Sequence, residues 1–264
     1  MMPKRLVFVR HGESEGNVIT ELMKTGRYDE VSPDVRQVPG WKWRLTPDGR
    51  KQAVKAGEWL RTNILEPFNW GYTSCYPRAL ETGGLLGLPG PIWRVLYYIR
   101  ERSWGQIETF PQTEEQVAMV LAEMKRRRDD RVFWCPPSGE TLADVILRID
   151  RFFDTLHREC SEDSVIAVMH GEAMWAARLI LERILPRRAE LLMNDHDNNI
   201  GNCYVLEYSR INPRTQEELT RLEWMRCIDP LKPTVGEWQQ IERRFFTGEE
   251  LLAEAECFPS CLCT

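Results

Sequence analysis

The 264-residue sequence has few histidines, no long apolar segment and no regular cysteine spacing. Its longest apolar runs, such as Leu6 to Val9 and Val165 to Met169, are far too short to cross a bilayer, so we expect no membrane partner. The N-terminal residues lack the apolar core and cleavage site of a secretory signal, which makes the cytoplasm the expected location. We interpret the eight cysteines as reduced thiols.

The sequence also lacks an excess of basic residues. Lys and Arg total 35 against 40 Asp and Glu, giving a net charge of −5, and we therefore expect no nucleic-acid partner. A hydrophobic fraction of 42% and ten Trp indicate a folded protein, long enough for one domain or one domain with an accessory segment. Because the net charge is negative, any anion-binding site must be formed by a local group of basic residues.

Two short segments of the same design lie far apart in the chain. The run from Leu6 to Val9 leads to His11-Gly12, and the run from Ser164 to Met169 leads to His170-Gly171. Continuous apolar runs predict strands buried on both faces. Each histidine then lies where a strand passes into a helix, which is the edge where open α/β sheets bind ligands.

The segments between and after these strands predict helices and further strands. Thr46 is a suitable N-cap and Pro47 a suitable first residue for a helix that runs to Asn63. We expect a three-layer α/β sandwich with a mostly parallel central sheet flanked by helices, plus a helical cap insertion. The other predicted elements are a strand at Tyr72–Ser74, helices at Pro77–Leu86, Thr113–Arg128 and Thr141–Cys160, and a hairpin of Cys203–Tyr208 with Leu219–Cys227.

If the two histidine-terminated strands are neighbours, the imidazoles of His11 and His170 meet at one edge of the sheet, beside Arg10. Imidazole has an intrinsic pKa of ~6.5, so it is partly unprotonated near neutral pH and can act as a nucleophile toward phosphorus. Arginine binds two phosphoryl oxygens at once, and such donors stabilise the transferring group without a metal. The trio therefore suits phosphoryl chemistry.

The stretch Arg10-His11-Gly12-Glu13-Ser14-Glu15-Gly16-Asn17 resembles the opening motif of the histidine phosphatase superfamily, the phosphoglycerate mutase-like family. Further stretches agree with that family in order, which is far more specific than one short match. They are Leu45–Gly49, Ser74–Thr82, Arg100–Gly105 and His170–Glu172. Together they cover about the first 210 residues of the chain.

The resemblance implies a role for each of these positions. His11 is the expected nucleophile, and Arg10, Arg78 and His170 complete the phosphate pocket. Asn17 adds a side-chain contact. Gly171 serves turn geometry and exposes a backbone amide to the phosphate.

The proton donor has two candidates. Glu101 occupies the place where the family has a carboxylic acid that protonates the leaving oxygen, but it lies between Arg100 and Arg102, which favour its ionised form. To donate a proton it must be desolvated, or its neighbours must point away. Glu140 is the second candidate, and its alternative role is that of a helix-capping residue.

We expect a catalytic domain at residues 1–210, with the cap at about 101–140, and a C-terminal extension at 211–264 that packs on it and ends in flexible residues. The implied activity is that of a histidine acid-type phosphatase, a phosphomonoester hydrolase that works through a phosphohistidine without metal or organic cofactor. Its expected partner is a phosphorylated small molecule. The natural substrate and the oligomeric state stay open, a homodimer included.

Two other functions stay open. A mutase of the phosphoglycerate mutase type returns the phosphate to another hydroxyl group, but the basic and tyrosine positions that hold a second phosphate do not line up in this sequence. A scaffold binds phosphate without turnover, which the presence of all the reactive residues disfavours. The C-terminal Cys257, Cys261 and Cys263 suggest metal binding or prenylation, and we favour an unmodified end.

Overall fold

One mixed sheet organises the chain. A computed structural model describes residues 1–27, 30–36, 38–108, 113–232 and 236–258. The sheet has the order β3-β2-β4-β1-β5-β6-β7. Its strands are β1 Arg5–Arg10, β2 Trp70–Ser74, β3 Ile92–Leu96, β4 Ser164–Met169, β5 Val205–Ser209, β6 Trp224–Ile228 and β7 Gln239–Gln240.

The four strands β3, β2, β4 and β1 are parallel, and the other three continue the sheet in antiparallel pairing. The two histidine-terminated strands are direct neighbours, with Arg10 of β1 opposite Met169 of β4. The predicted hairpin is confirmed, because β5 and β6 pair in antiparallel register. The sequence predicts no strand at β3, whose Ile92 and Val95 are exposed at the edge of the sheet and so lack the pattern of a buried strand.

The helices lie on both faces of the sheet. Those predicted from Thr46, Pro77, Thr113 and Thr141 are confirmed, and Thr46 caps its helix by accepting a hydrogen bond from the Gly49 amide. The helices in the described ranges are α1 Glu15–Lys24, α2 Pro33–Arg36, α3 Pro47–Asn63, α4 Pro77–Leu85, α5 Glu114–Asp129, α6 Leu142–Glu159, α7 Gly171–Leu181, α8 Pro186–Asn194 and α9 Gly248–Glu256.

The three-layer sandwich follows from the alternation of side chains along β1. Leu6 and Phe8 pack with the apolar faces of α6 and α7, whereas Val7 and Val9 pack with α3 and α4 on the opposite face. All four side chains are fully buried. Both central strands are therefore held by helices from two sides, and their carboxyl ends are fixed in place.

The predicted cap contains α5 and a 3₁₀ turn at Gly105–Glu108. The segment after residue 210 supplies β6, and its Leu222, Met225 and Ile241 are part of the main core. The division into a 1–210 domain and an extension stays a prediction. Cys261 and Cys263 lie outside the described residues, as does the rest of the predicted flexible end. Within the described ranges, no helix is both long enough and apolar enough to span a membrane.

Candidate active site

The parallel pairing of β1 and β4 brings two distant histidines together. His11 directly follows β1 and His170 directly follows β4, and the His11 amide donates a hydrogen bond of 3.0 Å to the Met169 carbonyl. Their ring centroids lie 5.0 Å apart, with the planes at 61°. Both side chains are buried. The juxtaposition on which the sequence interpretation depends is therefore present.

The hydrogen bonds of His11 define its tautomer. Its Nδ1 lies 2.7 Å from the carbonyl oxygen of Gly12, and because a carbonyl only accepts, Nδ1 carries the proton. The Nε2 atom is then unprotonated, and it accepts a hydrogen bond of 3.3 Å from Arg78 Nε. Burial lowers the pKa of His11 well below its ordinary value, and the charges of Arg78 and Arg10 lower it further. The neutral, nucleophilic form of His11 is therefore favoured.

Gly12 has a packing role. A Cβ at this position would lie 2.4 Å from the carbonyl oxygen of Gly49, so no larger residue fits. The Gly12 amide donates to Thr82 Oγ1 at 3.1 Å, and it is therefore engaged within the protein. Gly12 therefore lets the chain after β1 pass close to the start of α3.

His170 is the N-cap of α7, and Ser74 contacts its ring. The Ser74 Oγ atom lies 2.8 Å from His170 Nε2 and accepts a hydrogen bond of 3.3 Å from the Tyr76 amide. Among the described residues, His170 Nδ1 has no hydrogen-bond partner although it is buried. Burial, followed by the charge of Arg78, lowers the pKa of His170 well below its ordinary value. A neutral ring that uses its Nδ1 toward a ligand fits these contacts.

Two guanidinium groups contribute positive charge at the histidine pair. Arg78 lies in the first turn of α4, donates from Nη1 to the Gly40 carbonyl at 2.8 Å and stacks on the Tyr76 ring. Arg10 donates from Nη1 to the Ile200 carbonyl at 2.5 Å. Within the described part of the chain its buried Nε has no partner. Burial lowers the pKa of both groups, but arginine pKa values start so high that both stay charged.

Gly171 and Asn17 lie beside these groups. A Cβ at Gly171 would lie 3.6 Å from Arg10 Nε, in ordinary contact. Asn17 Oδ1 accepts hydrogen bonds from Ser14 and from Asn202 Nδ2, and Asn202 Nδ2 also lies 3.0 Å from the His11 carbonyl oxygen. Asn17 thus orders the start of α1. A contact between Asn17 and phosphate stays a prediction. The Asn17 Nδ2 atom would have to make that contact.

Glu101 is partly buried, and the charges of Arg78 and Arg10 act on its carboxyl group. Desolvation raises the pKa of its carboxyl group, and the charge of Glu172 raises it further, whereas Arg78 and Arg10 act in the opposite direction. The Arg102 amide donates a hydrogen bond of 2.8 Å to Glu101 Oε1. A carboxyl group that holds its proton to higher pH suits a general acid.

Glu140, the alternative proton donor, is held in its ionised form. Arg100 and Arg148 form ion pairs with its oxygens at 2.6 Å and 3.1 Å. The Ser103 amide donates to Oε2 at 2.9 Å. These interactions lower the pKa of Glu140 despite its partial burial. The structure therefore favours Glu101 over Glu140 as a source of protons.

The comparison with protein families agrees with this geometry. The model of the histidine phosphatase superfamily (branch 1) matches residues 6–216. The chain belongs to this superfamily. The match includes β1 and β4 and hence both histidines of the site. The resemblance seen in the sequence motifs is confirmed.

Three similar proteins put this member of the superfamily in context. The phosphoglycerate mutase-like protein AT74H of Arabidopsis thaliana is 30% identical over 227 residues, which cover 77% of this chain and 73% of that protein. A 2,3-bisphosphoglycerate-dependent phosphoglycerate mutase of Azorhizobium caulinodans is 28% identical, with coverage of 70% and 84%. The structure of a mycobacterial glucosyl-3-phosphoglycerate phosphatase in complex with VO3 has a TM-score of 0.59 at 25% identity, with coverage of 78% and 91%.

Sequence reasoning assigned no role to three polar residues that contact the predicted ones. They are Ser74, which contacts His170, Asn202, which bridges His11 and Asn17, and Thr82, which accepts from Gly12. Ser74 and Thr82 lie in the matching stretch Ser74–Thr82, and Ser74 also ends a predicted strand, whereas Asn202 has no such signal. The signal for Ser74 identifies no partner until β2 is known to lie beside β4.

The donor set of the site is unsuited to a resident cation. Two neutral imidazoles are accompanied by the positive charges of Arg10 and Arg78, which repel metal ions. Nowhere in the described ranges do three or more His, Cys, Asp or Glu side chains form a group that could hold a metal ion. The charges present instead complement an anion with several oxygens.

Proposed function

We propose that this protein hydrolyses phosphomonoesters of small molecules through a phosphohistidine formed at His11. The observation that carries the proposal is the unprotonated Nε2 of His11, buried 3.3 Å from the Nε of Arg78. A nucleophilic nitrogen beside a guanidinium group combines the two requirements of phosphoryl transfer, which are a positioned nucleophile and compensation of charge on the phosphoryl oxygens.

In the first step, the electron pair of His11 Nε2 forms a bond to phosphorus while the bond between phosphorus and the leaving oxygen breaks. The proton of the Glu101 carboxyl group passes to that oxygen, and the alcohol departs. In the second step, a water molecule attacks phosphorus and gives its proton to the Glu101 carboxylate. The phosphorus–nitrogen bond breaks, orthophosphate is released and the neutral imidazole is regenerated.

The phosphoryl oxygens are bound by Arg10, Arg78 and His170 in this proposal. Arg10 Nε and His170 Nδ1 are buried polar atoms that have no hydrogen-bond partner in the described part of the chain, and a phosphoryl group would satisfy both. Because two permanent cations and one imidazole stabilise the developing charge, no metal ion is needed. The lowered pKa of His11 and the raised pKa of Glu101 support an acid-type phosphatase, because both shifts favour the required protonation states at a pH between the two pKa values.

A mutase is the second candidate, because the relative from Azorhizobium caulinodans is named as a phosphoglycerate mutase. In that reaction, the phosphohistidine returns its phosphate to a second hydroxyl group of the substrate. We favour hydrolysis, since the positions expected to hold a second phosphate do not match in the sequence. Nuclear magnetic resonance of 3-phosphoglycerate incubated with the protein distinguishes the two, and rapid formation of 2-phosphoglycerate would reverse this preference.

The decisive experiment for hydrolysis measures release of p-nitrophenol from p-nitrophenyl phosphate by the purified protein and by His11→Ala. We expect turnover by the wild-type chain only, undiminished by EDTA. Equal rates in the two proteins would point to a contaminant and to a phosphate-binding scaffold. Loss of the wild-type rate in EDTA would contradict metal-independent catalysis.

We further propose a cytoplasmic location, which the six described cysteines with free thiols support. Fractionation of cells that express the tagged chain tests it, and recovery in a secreted or membrane fraction would contradict it. A homodimer stays a prediction that sedimentation of the purified protein tests.

A further inference from the structure

The proton donor lies between two arginines in the sequence, yet neither guanidinium group binds its carboxylate. Arg100 donates from Nη2 to Glu140 Oε1 at 2.6 Å and lies over the ring of Tyr97. This guanidinium group is therefore engaged by a different carboxylate, which directly precedes the N-cap of α6. Without that pairing, a permanent cation one residue away would be available to Glu101.

Arg102, the second flanking arginine, is also bound by a carboxylate other than that of Glu101. Arg102 is buried and donates from Nη1 to Glu172 Oε2 at 3.1 Å. Its Nε and Nη2 donate to the carbonyls of Glu140 and Trp134 at 2.7 Å and 2.6 Å. The rings of Trp104 and Trp134 lie 5.2 Å and 5.0 Å from its guanidinium carbon. Arg102 contacts Glu101 through its backbone amide and not through its guanidinium group.

We propose that Glu140 and Glu172 are positioning residues, each of which holds one of the two arginines that flank Glu101 away from its carboxyl group. The inference rests on the proposed role of Glu101 as proton donor. It assigns a function to two carboxylates that do not touch the phosphate-binding groups, and it explains how a glutamate in the sequence Arg-Glu-Arg remains able to carry a proton.

The arrangement is duplicated, which supports a common role. Each of the two carboxylates also binds a second arginine: Arg148 pairs with Glu140 at 3.1 Å, and Arg127 of the cap helix α5 pairs with Glu172 at 2.7 Å. With two cations each, both carboxylates have a lowered pKa despite their burial. Both therefore stay ionised at a pH where Glu101 keeps its proton.

The charged groups around Glu101 come from β1, α4, α6, α7 and the 3₁₀ turn. Arg10 of β1 and Arg78 of α4 lower its pKa, whereas Glu172 of α7 raises it. Arg148 of α6 donates a hydrogen bond of 3.1 Å from Nη2 to the Glu101 carbonyl oxygen. Glu108, in the 3₁₀ turn, has a pKa that the charge of Glu101 raises. Release of either flanking arginine would let its guanidinium group approach the Glu101 carboxyl group and strengthen the positive charge there. We expect that change to lower the pKa of Glu101 and to remove the proton that the leaving group needs.

The test uses two substrates that differ in their need for an acid. The alkoxide of glycerol 2-phosphate leaves only with a proton, whereas the acidic p-nitrophenol of p-nitrophenyl phosphate leaves readily as its anion. For Glu140→Gln, we expect kcat/KM for glycerol 2-phosphate to fall at least about tenfold, with a change of less than about threefold for the aryl substrate. The alkaline limb of the alkyl-phosphate pH profile should move to lower pH.

A second substitution distinguishes electrostatics from structural damage. In Glu140→Gln, the released Arg100 is the proposed cause of the loss, so Arg100→Met in the same chain should restore most of the alkyl-phosphate activity. Glu172→Gln should reproduce the substrate-selective loss, because it releases Arg102 and also removes a negative charge that raises the pKa of Glu101. Glu207→Gln is the matched control, because Glu207 is also a buried carboxylate paired with arginine, on β5 away from the site. It should lose stability without changing the ratio of the two activities.

Equal losses with both substrates, or no recovery on addition of Arg100→Met, would overturn the proposal. Failure of the proposed function itself looks different, because the wild-type chain would then match His11→Ala on the aryl substrate. A variant that fails to fold is recognised by loss of the aryl-phosphate activity together with its cooperative unfolding transition. In that case, the Arg100→Met double substitution and Glu172→Gln decide the question.

Discussion

The Nε atom of Arg78 lies 3.3 Å from Nε2 of His11, although 67 residues separate the two in the chain. The contact joins the first turn of α4 to the carboxyl end of β1. This contact places the permanent positive charge of Arg78 next to the unprotonated Nε2 of His11. A phosphoryl group bound to that nitrogen would therefore have a guanidinium group within reach of its oxygens.

The first prediction concerns this guanidinium group. Arg78→Ala should lower kcat/KM for p-nitrophenyl phosphate by about 100-fold or more, because two charge-assisted hydrogen bonds to the phosphoryl group are lost. Arg78→Lys should recover only part of the loss, since an ammonium group does not bind two oxygens in a plane. Steady-state kinetics measure both. Arg61→Ala, which removes an arginine that donates to the Leu86 carbonyl, is the control and should be close to wild type.

Ser74 gives a second prediction, because its hydroxyl group contacts His170 Nε2. Ser74→Ala removes the partner that fixes the ring orientation and the tautomer, so kcat should fall about tenfold while KM changes little. Thr73→Val is the neighbouring control, since the Thr73 hydroxyl donates to the Ser74 carbonyl and does not contact the ring. A Ser74→Ala variant with the wild-type kcat would show that packing alone orients His170.

The dependence of activity on pH follows from two shifts of opposite sign. His11 must be unprotonated, and burial with two arginines lowers its pKa well below 6.5, so the rising limb of kcat/KM should lie below the ordinary histidine range. Glu101 must be protonated, and desolvation raises its pKa above 4.5, so activity should fall as pH rises through that higher value. Profiles with glycerol 2-phosphate measure both limbs. In Glu101→Gln the falling limb should disappear, and its persistence would assign that limb to another group.

The stability of the fold should also depend on the histidine pair. The pKa of both rings is lower in the folded chain than in the unfolded chain, so the unfolded chain binds more protons below about pH 6.5. The free energy of unfolding should therefore decrease on acidification, by at most about 1.4 kcal/mol per pH unit for each ring. Urea titrations at several pH values test this. His170→Asn should have a flatter dependence, and an unchanged slope would contradict the burial of a neutral ring.

Much of the fold could be predicted because the two histidine-terminated strands are continuous apolar runs. Such a run is typical of a strand covered on both faces, and β1 and β4 are indeed fully covered. The edge strand β3 has no such signal, because three of its five residues are exposed and the other two are only partly buried. The pattern of apolar residues indicates which strands are buried, and so it predicts the centre of this sheet better than its edge.

The site was predictable only in part, for a related reason. His11 and His170 share a motif, so the sequence itself indicates that they belong together. Ser74 and Glu172 act through contacts that depend on strand order and on the path of the cap, and the chain supplies neither before it folds. The charge of Glu101 shows this most clearly: its sequence neighbours predict an ionised carboxylate, whereas in the structure those neighbours bind Glu140 and Glu172.

The most direct test of the central claim is to identify the residue that receives the phosphoryl group. The protein is mixed rapidly with ³²P-labelled substrate and quenched in alkali, in which phosphohistidine survives, and the labelled peptide is identified by mass spectrometry. We predict label on Nε2 of His11, formed at least as fast as turnover and absent from His11→Ala. Label on His170 or another residue, or turnover with no labelled protein at any time, would contradict this account.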